Sequence, residues 1–434
     1  MAKVEVRHVS KIFGDRPEVA LKMMQDGADK ETIFRETGMT VGVYDANFTI
    51  EEGEIFVIMG LSGSGKSTLL RLINRLIEPT FGEVIIDGRD IVRMKPRELR
   101  EVRRKKLGMV FQHFALFPRR TVLDNVAYGL EIRGVPQKER AQKALEAIHM
   151  VGLAGYESSY PGELSGGMQQ RVGLARALAG DVDILLMDEA FSALDPLIRG
   201  EMQEELLNLQ AQMKKTIVFI THDLDEALKL GDRIAIMKDG RIVQIGTPQT
   251  IVSQPADTYV AQFVEKVDRS KVLLARDVMK RPDVVAQWKD GPRMAIRKME
   301  EAGISSIFVV DRGHLKGLLT IERAIPATKR GAFQEEDLEQ DFPRTSPETP
   351  LTELMEIAAE TRYPIAVVEG EKLLGIIVRV LILSALLGQQ GEVAPSDRSR
   401  HDHEGAGGMS AEPSAALDAV DGGASEGGAP HALR

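Results

Sequence analysis

The glycine-rich stretch Gly60-Leu61-Ser62-Gly63-Ser64-Gly65-Lys66-Ser67-Thr68 decides the fold of this chain. It follows the apolar run 54–59 and precedes the apolar run 69–74, so the sequence predicts a strand, a turn and a helix in succession. The glycines let backbone N–H groups converge on a phosphate, and the positive end of the helix adds to the attraction. Lys66 supplies a point charge for the outer phosphates, and the Ser67 hydroxyl can bind Mg²⁺. A chance match in a loop is the alternative, and the flanking strand and helix argue against it. The stretch therefore predicts a bound nucleoside triphosphate.

The composition is typical of a soluble globular protein. The 434 residues are 43% hydrophobic and 28% charged, which allows two or three domains, each with its own core. A net charge of −9 argues against general nucleic-acid binding. The absence of cysteine excludes disulfides, thiolate metal sites and cysteine nucleophiles. We expect no secretory signal and no membrane span, because no apolar run reaches roughly 18 residues. The nearest, Leu373–Leu387, contains Arg379 and is typical of a strand followed by a helix.

The phosphate loop lies within a predicted sheet. Residues 3–13 and 41–59 have the pattern of strands of one sheet, and residues 15–40 interrupt them as a helical insertion. A break within the insertion is expected at Gln25-Asp26-Gly27. Phe13 stands just before the insertion, where it can stack on a nucleotide base or serve as a core aromatic. Spacing alone leaves both alternatives open.

Polar side chains follow three other predicted strands, and ligands of open α/β sheets bind at the carboxyl ends of strands. Asp188 is suited to hold Mg²⁺ through water, and Glu189 to act as a general base on the attacking water. Gln112 can contact the metal or that water, and His222 can bond the γ-phosphate. Each has an ordinary alternative, a solvated carboxylate or a surface histidine. Their order after one phosphate loop favours phosphoryl transfer.

A second glycine-rich segment, Leu164-Ser165-Gly166-Gly167-Met168-Gln169-Gln170, leads into a helix predicted over Arg171–Ala179. A serine and two glycines that open a helix form an anion site with their own amides and dipole. One chain does not need two such sites for one γ-phosphate. Two chains arranged head to tail do, because each can present this segment to the nucleotide held by the other. The segment therefore predicts a dimer.

Together these motifs resemble those of the ATP-binding cassette (ABC) ATPases over about residues 3–265. The resemblance implies a cassette at 1–265 with a RecA-like core, an antiparallel β subdomain and a helical signature subdomain at about 115–180. It also implies ATP and Mg²⁺ as cofactors and a homodimer. Met168 stands where the family usually has glutamine. The residues implied are Phe13 for adenine stacking; Gly60, Ser62, Gly63, Ser64, Gly65, Lys66, Ser67 and Thr68 for the phosphates; Gln112, Glu189 and His222 for catalysis; Ser67, Gln112 and Asp188 for Mg²⁺; and Ser165, Gly166, Gly167, Gln169 and Asp195 for the partner's nucleotide.

The insertion 15–40 and Gly246-Thr247-Pro248 further resemble the ATPase subunit of glycine betaine/proline importers, a quaternary-amine uptake group. In that group the cassette is followed by a tandem CBS module, which we expect at 276–388 after a linker at 266–275. The resemblance implies an integral membrane permease as direct partner and an extracytoplasmic solute-binding protein as indirect partner. It places the chain peripherally on the cytoplasmic face of the inner membrane.

Some alternatives stay open. The apolar loop His113–Pro118 suits either contact with a permease or internal packing. The solute can be a different small molecule. A soluble ABC ATPase acting on DNA or ribosomes is disfavoured, because neither a long coiled-coil insertion nor a second cassette is visible. An ATP sensor with little turnover is the third reading, and Glu189 argues against it.

The region from about residue 276 repeats the order strand, helix, strand, strand, helix. CBS modules often bind adenosine nucleotides with a threonine and an aspartate three residues later. Here Thr320 is followed at that spacing by Arg323, and Val378 and Leu381 occupy the matching places in the second half. Because both carboxylates are missing, the sequence argues against an adenosine ligand at the usual pockets.

Residues 266–330 carry 15 Lys/Arg and 8 Asp/Glu, a net +7. Such a surface can dock on anionic lipid at about 1 kcal/mol per basic residue near the membrane, and rising salt screens the attraction. We therefore hypothesise restraint of the ATPase until internal salt rises; a solvated basic face is the alternative. The cations that carry the hypothesis are Arg276, Lys280, Arg281, Arg293, Arg297 and Lys298.

The C-terminal residues 389–434 are rich in Gly, Ala, Ser, Asp and Glu, so we expect a disordered tail. The His401-Asp402-His403 cluster can hold a metal weakly or be solvated, and its setting favours the second reading.

Overall fold

The computed structural model describes residues 2–388, and three sheets organise them. The strands of the N-terminal part are β1 (Ala2–Phe13), β2 (Thr40–Glu51), β3 (Ile55–Met59), β4 (Phe81–Ile86), β5 (Arg89–Asp90), β6 (Leu107–Phe111), β7 (Ile184–Asp188), β8 (Thr216–Thr221), β9 (Arg233–Lys238) and β10 (Arg241–Gly246). The helices of this part are α1 (Pro17–Gln25), α2 (Lys30–Thr37), α3 (Lys66–Ile73), α4 (Pro96–Lys106), α5 (Val122–Ile132), α6 (Gln137–Met150), α7 (Gly166–Leu178), α8 (Pro196–Met213), α9 (Leu224–Leu230), α10 (Pro248–Ser253) and α11 (Thr258–Val264).

The central sheet has six strands in the order β10-β9-β3-β8-β7-β6. The strands from β9 to β6 are parallel, and β10 pairs antiparallel with β9 at one edge. Every residue of β3, β7 and β8 is buried, as expected for parallel strands covered on both faces. Parallel strands bring their carboxyl ends to one edge, so the segments that follow β3, β7 and β8 meet there.

One strand prediction was wrong. The run 41–59 is two strands in different sheets, since β2 pairs antiparallel with β1 in a four-stranded sheet of order β2-β1-β4-β5, whereas β3 belongs to the central sheet. Burial alternates along most of β2 but is complete along β3. A strand with one solvated face and a strand buried on both faces cannot continue each other in one layer. Gly53, at φ 78°, makes the turn between them.

The insertion folds as the predicted pair of helices, α1 and α2, with the predicted break between them. Ile33 of α2 is fully buried and packs in a small core that includes Ile12 of β1 and Val41 of β2. Asp29 caps the start of α2, and Gly38 ends the helix in the left-handed conformation. The insertion is therefore anchored to the strands that precede and follow it.

The helices α5, α6 and α7 form the predicted helical subdomain. The N-cap of α5 is Thr121, whose hydroxyl accepts from the Asp124 amide at 3.2 Å. Helix α7 begins at Gly166 rather than at Arg171, because the Ser165 side chain caps the amide of Met168. A capping side chain satisfies an otherwise unpaired N–H and lets a helix start at glycine.

The C-terminal part contains the predicted repeat. Its strands are β11 (Ala286–Gln287), β12 (Ser306–Asp311), β13 (His314–Thr320), β14 (Arg344–Thr345), β15 (Ile365–Glu369) and β16 (Lys372–Ile377). Its helices are α12 (Ala275–Val278), α13 (Gly291–Ala302), α14 (Ile321–Ala327), α15 (Leu351–Glu360) and α16 (Arg379–Leu387). The sheet order β11-β12-β13-β16-β15-β14 is symmetric, and the two halves meet where β13 pairs with β16.

The predicted linker 266–275 is not a bare connection. Leu273 and Ala275 are buried in the core of the second half of the repeat. Conversely, Phe333 and Leu338, which lie between the halves in sequence, are buried in the core of the first half. The halves therefore exchange flanking segments, and this exchange ties them together.

Within residues 2–388 no helix is long and apolar enough to cross a membrane. The candidate run Leu373–Leu387 divides into most of β16 and all of α16, so the prediction of a strand followed by a helix is confirmed. The expected tail at 389–434, with His401-Asp402-His403, lies outside the described residues.

Candidate nucleotide site

The loop between β3 and α3 has two positions that only glycine can occupy. Gly60 has φ 151°, and a Cβ there would lie 2.2 Å from the carbonyl oxygen of Met237. Gly65 has φ 104°, and a Cβ there would lie 2.3 Å from the carbonyl oxygen of Gly42. Real Cβ contacts are never this close, so the neighbouring strands fix the loop against the sheet edge.

Lys66 lies at the start of α3 and is buried beneath this loop. Its ammonium donates to the carbonyl oxygens of Gly60 at 2.9 Å and Leu61 at 3.1 Å. Burial lowers the pKa of Lys66, and the nearby charges of Glu189 and Asp188 oppose that effect. The loop therefore holds a cation at its centre with few protein partners, which favours an anionic ligand above it.

Ser67 and Asp188 meet although they are far apart in sequence. The Ser67 hydroxyl donates to Asp188 Oδ1 at 2.8 Å, and Arg71 Nη2 lies 3.5 Å from Asp188 Oδ2. The parallel pairing of β3, β8 and β7 produces this meeting, because it places the end of β7 beside the start of α3. A hydroxyl and a carboxylate oxygen are the hard ligands that Mg²⁺ prefers, so this pair fits that ion.

Glu189 is held in an unusual backbone conformation at the end of β7. Its φ is 46°, and its amide donates to the carbonyl of Ile220 at 3.1 Å. One carboxylate oxygen lies 3.1 Å from His222 Nδ1, and the other lies 3.9 Å from Lys66 Nζ. Non-glycine residues with positive φ are uncommon and are enriched at functional sites. The side chain of Glu189 thus lies between the phosphate loop and the predicted switch histidine.

Gln112 does not join Ser67 and Asp188 in this structure. Its amide nitrogen donates to Ser192 Oγ at 3.1 Å, and Ser192 Oγ in turn donates to the carbonyl oxygen of Glu189 at 2.9 Å. Gln112 is therefore linked to the backbone of Glu189 through one side chain. Its metal role stays a prediction.

A cleft of about 550 Å³ opens over the phosphate loop. Phe13 forms part of its wall, and the residue is 41% exposed rather than packed in a core. Residues of the loop and of α3 line the floor, with Glu189: Ser62, Gly63, Gly65, Lys66, Ser67 and Thr68. Sequence reasoning missed one wall, which comes from Lys30, Glu31 and Phe34 of α2. Lys30 and Phe34 are four residues apart, so the sequence already placed them on one side of the predicted helix.

The second glycine-rich segment is built as a helix start. Ser165 Oγ accepts from the backbone amide of Met168 at 3.3 Å. The side-chain Nε2 of Gln169 donates to the carbonyl oxygens of Pro161 and Leu164 at 3.0 and 3.1 Å. Asp195 caps α8 in the same way. Among the described residues, those lining the 550 Å³ cleft include none of these side chains. The fold therefore leaves the segment outside the cleft of its own chain.

The loop 113–118 combines internal packing with exposure. Phe114 and Leu116 pack against the main core, while Phe117 is 38% exposed. The backbone turns through positive φ at both Phe114 and Ala115, and Arg176 donates to both of their carbonyl oxygens, at 3.0 and 2.6 Å. Phe114 and Leu116 therefore follow the alternative of internal packing, and contact of Phe117 with a permease stays a prediction.

In the repeat module a polar cavity of about 530 Å³ includes Thr320, Arg323 and Glu339 in its wall. Arg323 Nη2 lies 2.8 Å from Glu339 Oε2, so the side chain at the carboxylate position pairs with an acid within the cavity wall. In the second half Leu381 is buried in the core. This geometry is in line with the expectation of no adenosine ligand, which stays a prediction.

Four of the six cations of the predicted basic surface form ion pairs. The pairs are Arg276–Glu348, Lys280–Asp283, Arg297–Glu301 and Lys298–Asp290, each at 2.7 to 2.8 Å. Within residues 2–388 no ion pair is formed by Arg281 or Arg293, and both are exposed. The free positive charge is therefore smaller than the count of basic residues suggests.

Comparison with known proteins identifies the family. The sequence model described as ABC transporter matches residues 43–192, and the model described as CBS domain matches residues 275–327 and 336–388. The chain is 55% identical to the glycine betaine/carnitine transport ATP-binding protein GbuA of Listeria monocytogenes, over 91% of this chain and 100% of that protein.

Two further relatives agree. The chain is 55% identical to the glycine betaine transport ATP-binding protein OpuAA of Bacillus subtilis, over 89% of this chain and 93% of that protein. It is 51% identical to the glycine betaine/proline betaine transport system ATP-binding protein ProV of Salmonella typhimurium, over 88% of this chain and 97% of that protein. The predicted fold class, an ABC cassette followed by tandem CBS domains, is confirmed. This chain belongs to the family of ABC transporter ATP-binding proteins that carry tandem CBS domains, and it is an ABC-type ATPase.

Proposed function

We propose that this chain hydrolyses ATP to drive an importer for glycine betaine or a related quaternary-amine osmolyte. The carrying observation is the 55% identity over the full length of the GbuA protein, whose name specifies glycine betaine and carnitine. The domain limits we propose are 1–265 for the cassette, 266–275 for the linker and 276–388 for the CBS module. A different small solute remains the second candidate, because a permease and a binding protein would select it.

The residues at the sheet edge divide the work of phosphoryl transfer. Lys66 neutralises charge on the outer phosphates, and the amides of Gly63 and Gly65 with the start of α3 cradle them. Ser67 and Asp188, which touch at 2.8 Å, would hold Mg²⁺. When bound, that ion neutralises charge between phosphates. Phe13 offers its exposed ring to the base.

Glu189 is the proposed general base. Its carboxylate accepts a proton from the attacking water, and His222 at 3.1 Å positions the carboxylate and reaches toward the γ-phosphate. Gln112, through Ser192, transmits the position of the loop 113–118 to the backbone of Glu189. Hydrolysis can in this way respond to a permease that contacts the loop.

The site is completed by a second copy of the chain. Ser165 caps α7, and Gly166 and Gly167 form its first turn, where backbone amides have no acceptor within the helix. All three lie outside the cleft of their own chain, so we propose that they close over the partner's nucleotide. Asp195 at the start of α8 lies in the same interface. The test is Glu189→Gln, which should abolish turnover and trap an ATP-bound dimer in gel filtration with ATP and Mg²⁺. Turnover at the wild-type rate in this variant would remove Glu189 from the base role.

The transported solute is tested by uptake. We would purify the chain with its permease and binding protein, reconstitute them in vesicles, and compare ATP-driven uptake of labelled glycine betaine, proline and choline. We expect glycine betaine to be taken up, and Glu189→Gln to remove that uptake. Uptake of none of the three would refute the quaternary-amine assignment.

We further propose that ionic strength controls the ATPase through the CBS module and its contact with anionic lipid. Arg281 and Arg293 would make direct contact, and the exposed ion pairs around them are weak enough to exchange partners, at about 0–1 kcal/mol each. In vesicles with anionic lipid, Arg281→Gln with Arg293→Gln should raise ATP-driven uptake at low salt. The control removes two exposed charges of helix α4 in the cassette, Arg97→Gln with Arg100→Gln. Equal salt dependence in all three proteins would overturn the proposal.

A further inference from the structure

We propose that helix α2 of the insertion binds the nucleotide as well, through Lys30 toward the phosphates and Phe34 toward the base. This inference rests on the proposed nucleotide site and extends it. The two residues are one helical turn apart and both line the 550 Å³ cleft, with Glu31 between them. The insertion 15–40, which lies between strands β1 and β2 of the four-stranded sheet, thereby forms one wall of the nucleotide site.

The position of α2 is fixed rather than loose. Asp29 Oδ1 accepts from the Thr32 amide at 2.8 Å, and Gly38 closes the other end in the left-handed conformation. Ile33, on the adjacent side of the helix, is completely buried against a core formed with strands β1 and β2. These are the strands that end at Phe13 and begin at Thr40, so α2 is held in register with the aromatic wall of the cleft.

Lys30 lies beside the elements that support the phosphate loop. A Cβ placed on Gly240 would lie 3.1 Å from Lys30 Nζ, and the Gly240 amide donates to the carbonyl of Ser64 at 2.9 Å. Within the described part of the chain no ion pair involves Lys30. Burial lowers the pKa of Lys30, and the charge of Asp239 opposes that effect. A half-buried cation without a close counter-charge is stabilised by an anion, and a phosphate in this cleft supplies one.

Phe34 presents the complementary chemistry. The residue is 60% exposed although its ring is a large apolar group that lines the cleft. Phe13 is the other exposed aromatic of the same cleft. A planar base between or beside two rings buries apolar area that is otherwise in water, and a base–aromatic contact contributes roughly 1–3 kcal/mol.

The decisive experiment uses tryptophan fluorescence to measure whether position 34 lies close to bound ATP. The chain has one tryptophan, Trp288, in the CBS module, so Trp288→Phe gives a silent background. In that background we would introduce Phe34→Trp, and as the matched control Glu36→Trp, which is exposed on the same helix and does not line the cleft. The full chain is titrated with ATP and Mg²⁺ while emission is recorded, and binding is measured in parallel by equilibrium dialysis.

We expect the emission of the Phe34→Trp protein to change with ATP and to saturate at the concentration found by dialysis, while the Glu36→Trp protein stays constant. In the native background Phe34→Ala and Lys30→Gln should each raise the Kd for ATP about tenfold, which equals about 1.4 kcal/mol, and Glu36→Ala should leave it within twofold. Lys30→Arg should restore most of the affinity, because it returns the charge.

Two outcomes would overturn the inference separately from the proposed function. If dialysis shows ATP binding but the Phe34→Trp emission does not change, or if both native-background variants bind ATP within twofold of wild type, α2 does not contact the nucleotide. If the wild-type chain binds no ATP, the proposed function fails and this inference fails with it.

Discussion

Replacing Gly167 by alanine is the sharpest test of how the second glycine-rich segment is built. A Cβ at this position would lie 2.5 Å from Ile198 Cγ2, where ordinary contacts are 3.4–4 Å. Ile198 must therefore move by about 1 Å, and because it is β-branched, Cγ2 cannot move without turning the side chain or shifting α8. Overpacking of this kind costs about 1–3 kcal/mol. For a domain of about 250 residues, such as the cassette, that lowers Tm by about 2–12 °C.

The neighbouring glycine is a matched control. A Cβ on Gly166 would have its nearest neighbours at 3.8 and 3.9 Å, which is ordinary contact. Gly166→Ala should therefore leave Tm within about 2 °C of wild type, as for a substitution within about ±0.5 kcal/mol. It should still lower ATP turnover severalfold, because the methyl group covers amides that we propose face the partner's nucleotide.

The assay for both variants is calorimetry of the full chain with steady-state ATPase measurements beside it. The reasoning predicts a dissociation, in which Gly167→Ala loses stability and Gly166→Ala loses turnover without losing stability. An unchanged Tm for Gly167→Ala would refute the packing argument. Wild-type turnover for Gly166→Ala would refute the proposed role of the amides.

Three further predictions follow from other contacts. Ser67→Ala removes the hydroxyl that lies 2.8 Å from Asp188. The Mg²⁺ concentration for half-maximal ATPase activity should therefore rise at least about tenfold, while Tm changes by less than about 3 °C. An unchanged Mg²⁺ requirement would contradict the role of Ser67 as a ligand. Arg176→Lys removes the guanidinium group that donates to two carbonyl oxygens of the loop 113–118, so amide hydrogen exchange in the loop should accelerate. Exchange at the wild-type rate would show that these two hydrogen bonds do not stabilise the loop. Asp183 lies 2.6 Å from Lys106 and 3.1 Å from Lys3; burial raises its pKa, but the hydrogen bonds from Lys106 and Lys3 outweigh burial and lower it. A carboxylate whose pKa is lower in the folded state stabilises the fold above its unfolded pKa of about 3.9, and this stabilisation is lost as the pH falls through the folded pKa. Asp183→Asn should therefore cost about 1–2 kcal/mol of unfolding free energy at pH 7 and almost nothing in acid, as measured by urea unfolding across pH. An equal cost at every pH would exclude the charge explanation.

Local pattern predicted most of the elements because each depends on residues close in sequence. The break at Gln25–Gly27, for example, rests on a glycine that takes up positive φ, since Gly27 has φ 92°. The start of α7 was misplaced because glycine is a poor helix former. Only the cap from Ser165 to Met168 shows that the helix begins there.

The contacts across the sheet edge were predicted only as a group of residues. Their order after strand ends indicated that Asp188, Glu189 and His222 gather near the phosphate loop. It could not indicate that Gln112 bonds Ser192, because that depends on which rotamers the packed neighbours leave free. The wall from α2 was missed for a similar reason, since an amphipathic helix does not reveal what its exposed face lies beside.

What the sequence by itself determined is the chemistry and the succession of elements. The stretch Gly60–Thr68 with its flanking apolar runs specifies a loop that only glycines can form, and the clash of a Cβ at Gly60 or Gly65 with neighbouring backbone gives the physical reason. What only the tertiary structure decided is adjacency over long distances in the chain. The pairing of β3 with β8 and of β8 with β7 puts Asp188 beside Ser67, and the anchoring of Ile33 puts Lys30 and Phe34 over the same cleft. Such contacts arise from packing of whole layers, and local sequence pattern carries no record of it.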